Sequence, residues 1–169
     1  MTSTSMCGSE WVGYLEHKDE KALGVFTANV GQGNYTVFAE MLKIRGEGDF
    51  QGLPWCAIFV YAIVGPKLGK ASASTYVLMK QCKKKGIFRG PDYVPKCGDI
   101  IFIDGNGNGK VSHCALVESV ENGKVTSIDG NTIDLSGHFP KEYGGAVARR
   151  VRDQNDPCII GYGDVGGLS

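Results

Sequence analysis

The spacing of apolar residues differs between the two halves of the chain. In the first half, apolar positions recur at helical spacing, interrupted by loops rich in Gly and Pro. Three helices are predicted, over residues 36–45, 55–64 and 74–85, and a short one over residues 10–15. The segment 55–64 is almost wholly apolar but too short for a membrane span, so it predicts a buried core helix.

After Pro95 the pattern becomes that of strands, with β-branched and apolar runs bounded by Gly, Asn, Asp or Pro. The predicted strands cover residues 99–104, 112–120, 124–129, 146–152 and 158–162. Helices followed by strands indicate an α+β fold, with N-terminal helices packed on one side of an antiparallel sheet of five or six strands. No repeat or low-complexity linker divides the chain, so we expect a single domain.

Two of these strands predict a β-hairpin whose loop is residues 121–123, which end in Gly. A three-residue loop would place Ala115 opposite Asp129 and His113 opposite Asn131. Because side chains alternate along a strand, His113, Asp129 and Asn131 are expected to share one face.

Length and charge narrow the class of protein. The 169 residues suit one domain with a sizeable core, and the formal net charge is zero. Because nucleic-acid-binding domains carry a basic excess, no nucleic-acid partner is expected. No apolar run is long enough to span a bilayer, and the first residues lack the basic-then-apolar pattern of a secretory signal. Neither a membrane contact nor a signal peptide is therefore expected.

Six cysteines are present at irregular spacings, without a CxxC motif. We expect mostly free, buried thiols rather than disulfides, since a core of this size is stable without covalent cross-links. Zinc is the alternative, with Cys97, His113 and Cys114 as ligands. Adjacent residues on a strand point to opposite faces, however, so no metal is expected.

Cys56 stands where a Gly- and Pro-containing loop turns into the apolar helix. Unpaired N–H groups and the positive dipole end at a helix start favour a thiolate, and the same N–H groups can hold an oxyanion. A His on a later strand and a polar residue on the next strand would supply the base and its orienting partner. Taken singly, Cys56 could be a structural thiol and His113 a surface residue; together they indicate a papain-like order of nucleophile, base and orienter.

Five short segments, in this order, resemble the motifs of CHAP domains, which belong to the NlpC/P60-like branch of papain-like cysteine enzymes. They are the Trp-Cys segment 53–60, the Gly-Asp-hydrophobic segment 95–102, the His segment 113–117, the Asp-Gly-Asn segment 128–132 and the Gly-Tyr-Gly segment 159–163. Residues 28–36 also resemble the lead-in of clostridial and phage members. The resemblance divides the chain into a lead-in over residues 1–27 and a catalytic domain over residues 28–169.

The resemblance implies a papain-like NlpC/P60 (CHAP) fold and hydrolysis of an amide bond in bacterial peptidoglycan through a thioester. The enzyme would be an N-acetylmuramoyl-L-alanine amidase or an endopeptidase that cuts stem peptides or cross-bridges. Cys56 would be the nucleophile and His113 the general base and acid. Asp129 stands where the family has Glu, and because it is shorter, Asn131 is the alternative orienter. No cofactor is implied.

Other positions carry weaker expectations. Trp55, Tyr35 and Gln51 are candidates to contact substrate along the cleft. Two further histidines, His17 and His138, lie in polar segments and are expected at the surface. Some CHAP domains bind calcium, but residues 104–109 lack the closing Glu of a calcium loop and predict a tight turn.

Three alternatives remain open. The same chemistry would suit a toxin amidase that is paired with an immunity protein. A transglutaminase-like or deamidating cysteine enzyme also uses Cys, His and Asp, and a wall-binding module could keep the fold without activity. As a phage lysin, the protein would pass from the host cytoplasm to the cell wall; otherwise it would be secreted or carried on the virion.

Overall fold

A computed structural model describes residues 5–140 and 144–168. Within these residues the chain forms three α-helices, six β-strands and three single turns of 3-10 helix. The helices are α1 (Val37–Ile44), α2 (Cys56–Val64) and α3 (Thr75–Lys84). The strands are β1 (Phe88–Arg89), β2 (Ile100–Ile103), β3 (His113–Glu121), β4 (Lys124–Thr132), β5 (Ala146–Asp153) and β6 (Ile159–Gly163).

The three predicted helices are confirmed, and two of them begin at side-chain caps. The Thr36 hydroxyl accepts a hydrogen bond from the Ala39 N–H at the start of α1. The Ser74 hydroxyl does the same for Val77 at the start of α3. By contrast, α2 begins after Trp55, whose side chain makes no capping hydrogen bond. The amino end of α2 therefore has no side-chain cap at the position of Cys56.

The strands form one antiparallel sheet in the order β1-β6-β2-β3-β4-β5 among the described residues. The predicted α+β layout is confirmed, and β1, which the apolar pattern did not indicate, adds an edge strand beside β6. Helix α2 packs against the central strands β3 and β4, and the main core lies between the helices and this face. A smaller apolar cluster that includes Ile101, Val117 and Tyr162 covers the opposite face.

The hairpin of β3 and β4 differs from the prediction at its tip. Glu121 pairs with Lys124, so the loop has two residues, Asn122 and Gly123, both with positive φ as a type I′ turn requires. A bulge at Glu118 then shifts the register by one residue. Beyond the bulge, Leu116 lies opposite Ile128, which is the register that the three-residue loop predicted.

Residues before α1 pack into the fold. The predicted helix over residues 10–15 is wrong: a 3-10 turn covers Ser9–Trp11, and Leu15 bridges Ala146 next to the sheet. The prediction that His17 is at the surface is also wrong, because its side chain is 0% exposed. Its ring nitrogens lie 2.9 Å from the carbonyl oxygens of Leu15 and Ala22, and these contacts replace water. His138 is exposed, as expected.

All six cysteines lie within the described residues and are free thiols, as predicted. Cys7, Cys56, Cys82 and Cys114 are buried, Cys158 is partly buried and Cys97 is exposed. None of the helices in the described part of the chain is both long and apolar enough to cross a membrane.

Candidate active site

The candidate nucleophile, Cys56, is the first residue of α2 and is 9% exposed. Its sulfur lies 3.4 Å from the hydroxyl oxygen of Thr75, the first residue of α3. The Thr75 hydroxyl also donates to the sulfur of Cys114 on β3, at 3.8 Å. One hydroxyl therefore contacts two cysteine sulfurs, and the starts of α2, α3 and β3 meet at this point.

The candidate base, His113, is the first residue of β3 and is oriented by Asp129 of β4. Its Nε2 lies 2.8 Å from Oδ2 of Asp129, whose side chain is 0% exposed. Because Nε2 is engaged by the carboxylate, Nδ1 is the nitrogen left for the thiol of Cys56. The structure thus brings Cys56, His113 and Asp129 together in the predicted order.

Asp129 is held by more than the imidazole. The Ser127 hydroxyl donates to its Oδ1 at 2.5 Å, and Nη2 of Arg152, on β5, donates to its Oδ2 at 3.0 Å. Nη1 of the same guanidinium donates to the Ser127 oxygen at 2.9 Å. Together these donors satisfy a buried carboxylate that would otherwise be costly to keep ionised.

These contacts lower the pKa of Cys56 and raise the pKa of His113. A hydrogen bond from Cys114 is the largest cause that places the pKa of Cys56 well below its usual range, against the effect of burial, and His113 and Thr75 add to it. Burial alone would lower the pKa of His113, but its hydrogen bonds to Asp129 and Cys56 raise it to about 9. The favoured state is a thiolate beside an imidazolium.

The same contacts keep Asp129 ionised. Burial raises the pKa of this carboxyl, but hydrogen bonding to His113 and the charge of Arg152 outweigh burial and leave the pKa lowered. Conversely, burial and the neighbouring Cys56 hold the pKa of Cys114 well above its usual range. Cys114 is therefore the protonated thiol of the pair and can donate its hydrogen to the thiolate.

Asn131 does not reach the imidazole. Its φ is +54° and the pairing of β4 with β5 shifts between Asp129 and Thr132, which breaks the alternation that would have put Asn131 on the face of Asp129. Among the described residues, its side chain makes no hydrogen bond to His113. Of the two predicted orienters, Asp129 is the one in contact.

The three residues predicted to contact substrate, a prediction that stays open, lie in different surroundings. Trp55 is 1% exposed and stacks on Phe38 with ring centroids 5.7 Å apart, so it belongs to the core. Gln51 bonds both the N–H and the C=O of Thr36 through its side-chain amide, at 2.9 Å each, and so fixes the loop before α1. Tyr35 pairs through its backbone with His17 and is partly buried.

Four neighbours of the site were not anticipated as such: Thr75, Cys114, Ser127 and Arg152. Cys114 carried a signal in the sequence, because it follows His113 directly. Ser127 carried a weaker one, since it lies two residues before Asp129 on the same face of β4. Thr75 and Arg152 lie far from the site in sequence, and only the packing of α3 and β5 brings them in.

The tight turn predicted at residues 104–109 has a defined structure. The Asp104 carboxylate accepts hydrogen bonds from the backbone N–H groups of four following residues, from Asn106 to Gly109. Its oxygens are thus engaged within the turn, and these bonds lower the pKa of Asp104.

Comparison with known protein families gives a match to the CHAP domain over residues 48–131. No curated protein and no solved structure matches the chain. The matched segment contains Cys56, Thr75, His113, Cys114 and Asp129, while Arg152 lies outside it. The order of helices and strands and the thiol–imidazole–carboxylate contact agree with this match, and the chain belongs to the CHAP domain family.

Proposed function

We propose that the protein hydrolyses an amide bond of bacterial peptidoglycan through a thioester on Cys56. CHAP domains are in general cysteine- and histidine-dependent amidases or peptidases that act on peptidoglycan. The observation that carries the proposal for this chain is the His113 imidazole, which is bonded to Asp129 at 2.8 Å and interacts with Cys56. This arrangement produces an activated thiolate at the start of a helix.

In the first step, the Cys56 thiolate attacks the carbonyl carbon of the scissile amide. The carbonyl oxygen becomes an oxyanion, and the backbone N–H of Cys56 at the uncapped start of α2 is the first candidate to stabilise it. The His113 imidazolium then donates its proton to the leaving amine, and the C–N bond breaks. The product of this step is a thioester between the substrate acyl group and Cys56.

In the second step, neutral His113 removes a proton from water as the water attacks the thioester carbonyl. The C–S bond breaks, the carboxylic acid is released, and the thiolate–imidazolium pair is restored. Throughout both steps Asp129 keeps the imidazole in the tautomer and orientation that these transfers require. Ser127 and Arg152 act on Asp129 and are positioning residues.

Two bonds remain candidates within this proposal: the amide between N-acetylmuramic acid and L-alanine, and a peptide bond of the stem or cross-bridge. The protein would work at the bacterial wall, as a phage lysin or as a secreted or virion-associated enzyme. If it serves as a toxin, an immunity protein is its second partner. The chemistry at Cys56 is the same in each case. The chemical groups at the ends of the released fragments therefore distinguish the two reactions.

The test is turnover of purified peptidoglycan by wild type, Cys56→Ala and Cys56→Ser, with fragments identified by mass spectrometry. Wild type should release fragments, and both variants should lose roughly 1,000-fold or more of the rate, because serine at this position lacks an activated anion. Cys82→Ala is the matched control, since Cys82 is a buried thiol on α3 without a contact to the imidazole.

Several outcomes would contradict the proposal. Equal release by wild type and Cys56→Ala would remove the cysteine from the mechanism. No release from several wall types, together with binding that survives Cys56→Ala, would favour a wall-binding module. Incorporation of an added primary amine into the new acyl ends would favour a transglutaminase-like transfer.

A further inference from the structure

A second thiol lies beside the proposed nucleophile. Cys114 is 0% exposed, and its sulfur and that of Cys56 both contact the Thr75 hydroxyl, at 3.8 Å and 3.4 Å. The neighbouring Cys114 is also the largest cause of the lowered pKa of Cys56. The hydrolysis described above uses only one of these sulfurs in bond making, so the second has no covalent role in it.

The two thiols differ in the ways that a redox pair requires. Cys56 favours the thiolate, the form that reacts with peroxides, and 9% of its surface is exposed. Cys114 is fully buried and protonated, so an oxidant from solvent meets Cys56 first. An oxidised Cys56 would then have beside it a thiol that contacts the same Thr75 hydroxyl.

We propose that Cys56 and Cys114 form a reversible disulfide when a peroxide oxidises the nucleophile. The inference rests on the proposed function only in that Cys56 is taken to be the reactive thiolate. A disulfide would remove the nucleophile from catalysis and keep its sulfur from further oxidation, and a dithiol reductant would restore it.

The steps balance with hydrogen peroxide as the oxidant. The Cys56 thiolate attacks one peroxide oxygen, an S–O bond forms, the O–O bond breaks, and hydroxide leaves and takes up a proton to become water. Cys56 is now a sulfenic acid, oxidised by two electrons. Cys114 attacks this sulfur, an S–S bond forms, the S–O bond breaks, and the hydroxide leaves as water with the proton of the Cys114 thiol.

The fold brings the two sulfurs together from neighbouring elements. Cys56 begins α2, Cys114 lies near the start of β3, and these two elements pack directly against each other. A disulfide requires β-carbons about 4 Å apart. The Thr75 hydroxyl on α3 contacts both sulfurs, so the two side chains extend to a common point between these elements.

The experiment treats the full chain with hydrogen peroxide and then with dithiothreitol, all in a Cys97→Ser background. This substitution removes the exposed thiol, which neighbours Cys7 and could form disulfides of its own. Trypsin places the two sulfurs in different peptides, residues 46–67 and 111–124. A disulfide therefore appears as one linked species that is two hydrogens lighter than the sum of the two peptides.

The expected result has three parts. The oxidised protein contains the linked peptide, its Cys56 no longer reacts with iodoacetamide, and dithiothreitol restores that reactivity and the starting rate of hydrolysis. Cys114→Val and Cys114→Ser should instead pass to sulfinic acid at Cys56, a loss that dithiothreitol does not reverse. Each variant is compared with its own untreated rate, and Cys82→Ala should behave like the parent.

Two results would overturn the proposal: absence of the linked peptide from the oxidised parent, or equal recovery by the parent and both Cys114 variants. The peptide mass and the iodoacetamide reaction do not depend on turnover. A protein that forms the disulfide but cleaves no peptidoglycan would therefore uphold this inference and refute the proposed function. The linked peptide is measured in the parent chain, so the test stands even if the Cys114 variants fold poorly.

Discussion

At the scale of single residues, the Thr75 hydroxyl is one of the groups that lower the pKa of Cys56, the proposed nucleophile. It lies 3.4 Å from the sulfur of Cys56 and comes from a different helix. When Cys56 is ionised, the hydroxyl can turn its one hydrogen from Cys114 to the thiolate, and a hydrogen bond to a charged group is worth about 1.5–3 kcal/mol. Its removal should therefore be measurable in the pKa of the thiol.

Thr75→Val should raise the pKa of Cys56, since it removes the hydroxyl but keeps the shape of the side chain. The measurement is the rate of Cys56 alkylation by iodoacetamide as a function of pH, again with Cys97→Ser. Thr75→Ser retains the hydroxyl and is the control, expected to keep the wild-type midpoint. Identical midpoints for the Val and Ser variants would show that the hydroxyl does not act on the thiolate.

Under the proposed mechanism, the charge state of His113 sets the alkaline limit of hydrolysis. Its pKa is raised to about 9, so the imidazolium persists through neutral pH and loses its proton as pH rises through that value. The hydrolysis rate should fall there, because the leaving amine then has no proton donor. The same ion pair stabilises the fold fully below the ordinary pKa of 6.5 and is lost as pH rises through about 9.

This limit is checked with a pH–rate profile for peptidoglycan turnover. Asp129→Asn should move the alkaline limb to lower pH, because it removes the carboxylate that favours the imidazolium. A limb that stays in place in Asp129→Asn would contradict the role given to this contact.

The roles of Cys56, His113 and Asp129 were predictable to different degrees from the neighbouring sequence. Cys56 is marked by the change from loop to apolar helix, and His113 by the start of a strand. Asp129 was predicted only together with Asn131, and the choice between them depended on backbone geometry. Contacts of Thr75 and Arg152 depend on how α3 and β5 pack, and a linear pattern holds no information about such distances.

At the scale of elements, the close packing of α2 on β4 holds the nucleophile against the base. Gly130 follows Asp129 directly, and a β-carbon built on it would lie 2.6 Å from the β-carbon of Phe59. Neither atom is at the flexible end of a side chain, so a substitution here must move the helix or the strand. The distance between Cys56 and His113 depends on both.

Gly130→Ala is expected to destabilise the protein by about 1–3 kcal/mol, as overpacking does in cores, and to lower hydrolysis further by separating the nucleophile from its base. Thermal unfolding and peptidoglycan turnover report the two effects. Gly90→Ala is the matched control, because a β-carbon there meets nothing within 4 Å. Wild-type stability and rate in Gly130→Ala would refute this view of the packing.

The sheet was largely predictable because its strands are bounded by turn residues. Within the strands, apolar residues either alternate with polar ones or follow each other without interruption. The short strand β1 was missed, since two residues carry no periodicity. The hairpin register was predicted correctly near the site but through the wrong loop. A bulge depends on the backbone and has no side-chain pattern of its own. A two-residue loop with a bulge and a three-residue loop without one therefore predict the same pairing near the site, and the sequence does not distinguish them.

At the scale of the whole molecule, the residues before α1 are tied to both layers of the fold. The Tyr14 hydroxyl donates to the carbonyl of Leu23 and accepts from the N–H of Val37 at the start of α1. The N–H of Gly13 donates to the carbonyl of Val147 on β5. The division into a lead-in over residues 1–27 and a catalytic domain stays a prediction, and these contacts give a way to test it.

A chain that begins at Ala28 should lose at least about 10 °C of its melting temperature or fail to unfold cooperatively, because buried Tyr14 and Leu15 leave the core with it. The measurement is thermal unfolding followed by circular dichroism. Tyr14→Phe is the milder comparison, since it removes only the hydroxyl and should cost about 1 kcal/mol. An unchanged melting temperature after truncation would show that residues 1–27 are dispensable for folding.

The bulge at Glu118 has a consequence for how this protein can change over time. It offsets the short turn at Asn122 and Gly123 by one residue, so that the strands arrive at the site in the same alignment that a longer turn without a bulge would produce. Insertion of one residue at the tip, together with deletion of the extra residue at the bulge, would thus leave the strand pairing at His113 unchanged. The tip of the hairpin can vary in length while the chemistry at its base is inherited unchanged.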